Sequence, residues 1–364
     1  MKLSTSHLLI FLFPLSLAAC PDNSAPPTTA QNQSPPPYGA PPYGQPPYPY
    51  GQSPYQPLPP PYGQPPNGQP QPPGPNPPAP GPQRPILPPL IGPVAWQAEA
   101  QAVVSELKAA LPQGAPLFPG LPVLPGPNRD VVANVPLVFD PNPNEVNAFA
   151  GCDDGGAPFI AGTVGLLFAV DGIAQTKATD ELFGTQTYDA YTNAVTPQLV
   201  SQQGGNAALP PNIIPPQLVV DARRLSRAHE MFDEVIGFTF GHELAHHYWQ
   251  HTGCAHGQGP SSPPDVGLLG RLGSQMLPTF NQPNETTADE WGTINILDAG
   301  RARASQAYRW NEEGGLWLLD FFARMERAAG GNPLLGFLRS HPNPGLRIPV
   351  VQAWAATWRV QHPG

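Results

Sequence analysis

Phe238-Thr239-Phe240-Gly241-His242-Glu243-Leu244-Ala245-His246-His247-Tyr248-Trp249 is the stretch on which the reading of this chain turns. It lies inside a longer run, Ala228 to His251, whose spacing predicts a helix. Phe232, Val235, Ile236, Thr239, Leu244 and Trp249 make that run apolar on several sides, which suits a helix buried in a core. Gly253 is its expected C-cap, with Pro260 beyond. Residues i and i+4 of a helix lie one above the other. His242 and His246 therefore share a face, and two imidazoles so placed can hold one metal ion. Glu243 stands beside that face. Zinc lowers the pKa of a bound water toward ~7, and a neighbouring carboxylate can then take its proton. His247 follows the ligand face by one residue and should point elsewhere. The metzincin pattern of three histidines requires His and Gly where this chain has Thr252 and Trp249, and His251 is one place off. The third ligand is therefore sought elsewhere.

Glu285-Thr286-Thr287-Ala288-Asp289 supplies it. This segment opens a second helical run that extends to Ala299 and stops at Gly300. Glu285 and Asp289 again stand at i, i+4. Glu285 can complete a site for one zinc ion per chain while Asp289 accepts the other ring N–H of His242 and fixes its tautomer. Alone, the segment would read as an acidic helix N-terminus that favours the helix dipole. Beside the first motif it reads as ligand and support.

Before the central helix, Ala95 to Leu111 has helical spacing, with Val103, Val104, Leu107 and Leu111 on one side, and Pro112 and Gly114 end it. Val131 to Ala150 reads as two short strands around an Asp140–Asn144 turn, Gly151 to Gly156 as a turn, and Pro158 to Ala169 as a strand leading into an apolar, helical run. Gln175 to Gln217 is polar and broken by Pro210, Pro211, Pro215 and Pro216, so little regular structure is expected there beyond a helical piece at Asp180 to Ala194. The predicted fold class is α+β, mainly helical with a small sheet.

The N-terminal quarter is different in kind. Residues 21–95 hold 30 prolines and only two charged residues, Asp22 and Arg84. A Pro-Pro-Tyr-Gly-Gln theme recurs at Pro41–Gln45 and Pro60–Gln64. Such a composition has too little aliphatic surface to offset the entropy of folding, and favours extended polyproline II. Residues 20–93 are thus read as a disordered linker, acting either as a spacer or, through its tyrosines, as an adhesive segment, and residues 94–364 as one domain. Ahead of it, residues 1–19 read as a signal peptide: Lys2 gives a basic start, Leu8–Leu17 a short apolar core, and Leu17-Ala18-Ala19-Cys20 is similar to a bacterial lipobox. Cys20 is the expected lipidation site, anchoring the chain to a membrane rather than threading it through. An ordinary signal peptide is the other reading. Pro21 after the cysteine favours the outer membrane, facing the periplasm or the cell surface. Cys152 and Cys254 then remain as an even pair in an exported protein, a possible disulfide. Setting aside Lys2, Arg84 and Asp22 leaves 15 basic and 25 acidic residues, a net charge of −10 with no basic stripe, which excludes a nucleic-acid partner.

With these residues in hand, the chain resembles the gluzincin metallopeptidases of the group that includes HtpX, the CAAX prenyl protease, Oma and the periplasmic protease BepA (peptidase family M forty-eight). The resemblance covers about Val131 to Val351 and rests on an ordered set. Asn147-Ala148-Phe149-Ala150 and Phe159–Leu167 come first, then His242–His246, Glu285–Asp289, and Ser340-His341-Pro342 with Arg347-Ile348. It implies a zincin-like fold and a zinc metalloendopeptidase acting on exported or unfolded polypeptides, with Glu243 as base. It further implies a substrate-binding edge strand at Asn147, Ala148, Phe149 and Ala150. His341 becomes a candidate catalytic residue, either donating to an oxyanion or filling a fourth zinc position, and Arg347 a supporting residue. No apolar span flanks the metal motif, so the soluble branch of the group is the expected one. A lipoprotein chaperone or assembly factor with a silent site is the alternative.

Overall fold

The computed structural model describes residues 86–114, 125–201, 205–254, 282–303, 308–330, 341 and 343–363. The expected signal peptide, the Cys20 anchor and the Pro-rich linker up to residue 85 lie outside the described residues. So do residues 255–281, most of the Gly/Pro-rich stretch between the two metal segments.

The described chain is mainly helical with one three-stranded sheet. Helix α1 spans Gly92–Ala110, beginning three residues ahead of the expected Ala95, and buries Trp96, Val103, Val104 and Leu107. A single turn, α2 (Arg129–Val132), follows where a strand was expected; Asn128 caps it by accepting from the Asp130 N–H. The strands are β1 (Leu137–Asp140), β2 (Ala148–Cys152) and β3 (Pro158–Thr163). Strands β1 and β2 do not pair with each other. Both flank β3, in the order β1-β3-β2, with β1 parallel and β2 antiparallel to it. Strand β3 is buried along its whole length and β2 is left as an edge.

Helix α3 (Val164–Phe183) grows directly out of β3, capped by the Thr163 hydroxyl, which accepts from the Leu166 N–H. The expectation of little regular structure over Gln175–Gln217 is corrected as far as Val200; residues 205–215, the Pro-broken part, do lack helix and strand. Helix α3 continues to Phe183, and α4 occupies Thr187–Val200 with Asp180 accepting from the Thr187 and Tyr188 N–H groups at its start. Part of the polarity that argued against helix there comes from threonines, which read in sequence as solvent-seeking. They are buried instead, and Thr176, Thr192 and Thr196 each return the hydroxyl to the carbonyl four residues earlier, which satisfies it within the helix.

Helix α5 (Ala222–Tyr248) runs through the middle, and every residue from Ala228 to Tyr248 is buried. Asp221 caps its start. Helices α6 (Gln282–Ala302), α7 (Glu313–Ala328) and α8 (Pro344–Gln361) complete the core around it. The crossing of α5 and α6 is unusually close because Gly241 faces Gly292: a Cβ on Gly292 would stand 2.9 Å from the backbone nitrogen of His242. Gly300 does not stop α6, which runs on to Ala302. Its missing side chain admits the carbonyl of Trp310, 2.2 Å from where a Cβ would be. Cys152, at the end of β2, is disulfide-bonded to Cys254, just beyond α5. No helix among the described residues is long and apolar enough to cross a membrane.

Candidate metal centre

Helix α5 carries His242 and His246 with their Nε2 atoms 3.1 Å apart, as the i, i+4 spacing requires. The helix ends at once afterwards, and the manner of its ending matters. Gln250 takes the left-handed conformation (φ 59°) that ends the helix, three residues ahead of Gly253, which is left-handed as well (φ 69°). The His251 N–H then donates to the His246 carbonyl at 2.8 Å and the Gln250 N–H to that of His247 at 2.9 Å, the paired bonds of a Schellman cap. This cap folds His251 back so that its Nδ1 meets Nδ1 of His246 at 2.9 Å. His247, on the other side of the helix, bonds through Nε2 to the Phe159 carbonyl at 2.9 Å and so ties β3 to α5.

Across the Gly241–Gly292 crossing, α6 supplies Glu285 and Asp289, both with no exposed surface. Glu285 Oε2 lies 3.5 Å from His242 Nε2, and Oε1 lies 3.4 Å from His246 Nε2. A tetrahedral ion with bonds of about 2.0–2.1 Å has ligand–ligand edges of about 3.3–3.4 Å. The three edges found here are close to that. Glu285 Oε1 is fully buried without a hydrogen-bond partner, as is Oε2 of Glu243, so two acceptor oxygens in the centre are left without a donor. Donor set, edges and orphaned oxygens therefore fit a divalent ion held by His242, His246 and Glu285.

Behind the ligands, Asp289 Oδ1 accepts from Nδ1 of His242 at 3.0 Å. Arg347, in the first turn of α8, grips Asp289 with two bonds, Nε to Oδ2 at 2.7 Å and Nη2 to Oδ1 at 2.6 Å, and reaches Glu285 Oε2 at 3.2 Å. It can do so because Pro344 does not exclude a helix. It begins one, at a position where a missing N–H costs nothing. His341, 1 % exposed, comes in from the remaining side. Its Nδ1 is 2.6 Å from Glu285 Oε2, and its Nε2 is 3.2 Å from the Ala148 carbonyl and 3.4 Å from Glu243 Oε1. The ligand atoms of His242, His246, Glu285 and His341 all lie within 4.8 Å of one another.

The electrostatics follow from burial and pairing. Burial pushes the Glu243 carboxyl up, although His341 and His242 pull against it. Burial also opposes ionisation of Glu285 and Asp289, but His341 and Arg347 hold Glu285 well below the usual carboxylate range, and Arg347 holds Asp289 down. The two imidazoles split. Burial would lower both; it takes His246 to about 3, whereas bonds to Asp289 and Glu285 outweigh it for His242 and raise it to about 9. Two Nε2 atoms 3.1 Å apart leave room for one proton between them, and the pairing of Nδ1 with Asp289 favours the charged form at His242 over His246. A divalent cation would take the place of that proton.

No family model, curated protein or solved structure matches this chain.

Of the residues the sequence singled out, His242, Glu243, His246, Glu285, Asp289, His341 and Arg347 converge in one buried cluster. Asn147 stops just short of β2, with its side chain on Glu145, while Ala148, Phe149 and Ala150 lie in the strand and the Ala148 carbonyl faces His341. His251 and His247 were passed over as ligands, and their structural parts went unread. His251 orients His246 and His247 fastens the sheet. Only the helix cap, invisible without a glycine at position 250, turns His251 toward the site.

Proposed function

We propose that the protein is a zinc metalloendopeptidase of the gluzincin type, with a zincin-like catalytic unit, that cleaves exported or unfolded polypeptides. The observation carrying this reading is the closure, in one buried cluster, of two histidines from α5 and a glutamate from α6 around Glu243, with Asp289 and Arg347 bracing the ligands from behind. His242, His246 and Glu285 would hold the ion. Bound there, zinc supplies Lewis acidity toward water and the scissile carbonyl.

The chain's own groups do the rest. Glu243 takes a proton from the attacking water as the C–O bond forms, and delivers it to the amine nitrogen as the C–N bond breaks. Its buried setting raises its proton affinity toward that task. Asp289 holds the imidazole of His242 in one orientation, and His251 does the same for His246. Among the described residues β2 has no strand on its outer side, and that edge would take an extended peptide through main-chain bonds, which selects unfolded chains over folded ones. His341 bonds the Ala148 carbonyl on that edge, and its ring lies near enough to the other ligand atoms to close the site as a fourth ligand, the latent arrangement we favour. We place the protein outside the cell's cytoplasm, tethered to a membrane through lipid on Cys20. A chaperone or assembly factor with a silent site is disfavoured because no ligand and no base is missing.

The test is zinc analysis and casein cleavage by the purified chain beside Glu243→Gln. One zinc bound through Glu285 and a loss of cleavage of at least about a hundredfold in Glu243→Gln with that zinc retained are expected. Equal cleavage by both proteins would refute the assignment.

A further inference from the structure

A second cluster with ligand chemistry lies on the same helix, nearer its start. His229 and Asp233 stand at i, i+4 on α5, and Glu99 faces them from α1. Thirteen residues separate His229 from His242, which turns this face roughly to the opposite side of the helix and sets it about 20 Å away along the axis. The Nε2 atom of His229 is 3.3 Å from Glu99 Oε1 and 3.8 Å from Asp233 Oδ1, and the three ligand atoms fall within 4.8 Å of one another. Its other nitrogen, Nδ1, donates to the Pro88 carbonyl at 2.7 Å. That bond commits Nδ1 as donor and leaves Nε2 facing the carboxylates, where it donates to Glu99 when the ring is charged and offers a lone pair when it is neutral; it is the outer support that metal-binding histidines have.

Asp233 gives the independent sign. It is 1 % exposed, its Oδ2 accepts from the Tyr308 hydroxyl at 3.0 Å, and its Oδ1, aimed into the cluster, has no hydrogen-bond partner. Burial beside Glu99 holds its carboxyl up to about 8, so the site as it stands disfavours its negative charge. Arg303 is a further cation, besides His229, whose charge acts on both carboxylates. Its guanidinium is engaged with Glu106 at 3.2 Å and lies over the rings of Trp310 and Tyr308, at 4.2 and 5.0 Å.

We propose that Glu99, His229 and Asp233 form a second divalent-metal site, structural rather than catalytic, that takes zinc or a similar first-row ion. One imidazole and two carboxylates suit such ions better than calcium or magnesium, which prefer all-oxygen shells. Glu99 is half-buried, so water completes the shell from the outer side. The ion clamps α1 and the segment before it, through Pro88, onto α5. That segment is already held there by the bond from the Leu87 N–H to the Ser226 hydroxyl, at 2.8 Å.

Equilibrium dialysis of the whole chain against micromolar zinc, with metal counted per chain, tests this. Wild type is expected to hold two zinc ions, Glu285→Ala one, His229→Gln one, and the Glu285→Ala/His229→Gln double variant none. Glu99→Gln guards against misfolding of the more buried variant. It should melt with wild type in chelator, yet bind the second ion at least about tenfold more weakly. One zinc in wild type, lost entirely in Glu285→Ala, would overturn the second site. So would a second zinc retained in both His229→Gln and Glu99→Gln. Two zinc ions retained in Glu285→Ala, one of which leaves when His229→Gln is added, would support the second site while removing Glu285 from the first.

Discussion

Arg347 is the residue whose loss this structure makes most consequential. Its guanidinium is 2 % exposed and spans two carboxylates one helical turn apart, Asp289 through two bonds and Glu285 through a third contact. Arg347→Met removes the charge and keeps much of the volume. Breaking a buried ion pair from one side costs about 3–5 kcal/mol, because the abandoned charge stays buried. A domain of 150–250 residues loses about 2–4 °C of melting temperature per kcal/mol, so a fall of about 6–20 °C is expected. Arg347→Lys should recover less than half of it, since an ammonium is a point charge and cannot bond both carboxylates in the plane of a fork. Melting is followed by circular dichroism in chelator, so that metal loss adds nothing. Zinc affinity, measured separately by competition, should fall about 10–100-fold as Asp289 and His242 lose their orientation. A melting temperature within about 2 °C of wild type would refute the reasoning, as it would mean that the two carboxylates do not depend on Arg347.

Three further outcomes are expected. If His341 closes the site as a fourth ligand over the Ala148 carbonyl, as proposed, His341→Ala should retain zinc and raise the rate of casein cleavage several-fold; a large fall in kcat with zinc retained would instead make it an oxyanion donor. Gly292→Ala should cost about 1–3 kcal/mol in urea denaturation and weaken zinc binding, since its methyl group forces α6 off the His242 backbone and carries Glu285 with it; wild-type zinc affinity would show that the crossing tolerates the methyl. Burial holds Glu234 up to about 8, against the pull of Arg227, from an ordinary value of 4.5. The folded chain therefore keeps a proton that the unfolded chain loses, and this contribution is full below about pH 4.5 and lost as pH rises through 8. Glu234→Gln should flatten the decline in stability between pH 5 and 8, and an unchanged slope would exclude Glu234 as its source.

What the sequence determined alone is whatever local periodicity encodes. The i, i+4 histidines lie on one face because α5 is a helix, and the apolar residues around them ensure that it is a buried one. Glu285 and Asp289 could be read as ligand and support by the same spacing. The helical character of α3 and α4 was partly hidden, because a buried threonine that bonds back to its own helix looks the same in sequence as an exposed one. Tertiary structure decided what depends on distance between segments far apart in the chain. The close approach of α5 and α6 needs two glycines to meet, Gly241 and Gly292, and neither announces its partner. The meeting of Cys152 with Cys254 and of His341 with Ala148 depends on where β2 lies, which follows from pairing with β3 rather than with β1. The turn of His251 onto His246 hangs on one left-handed residue, Gln250, where sequence favoured a glycine three places later. Each of these is a contact whose energy is gained only after the chain has folded, so no local pattern records it.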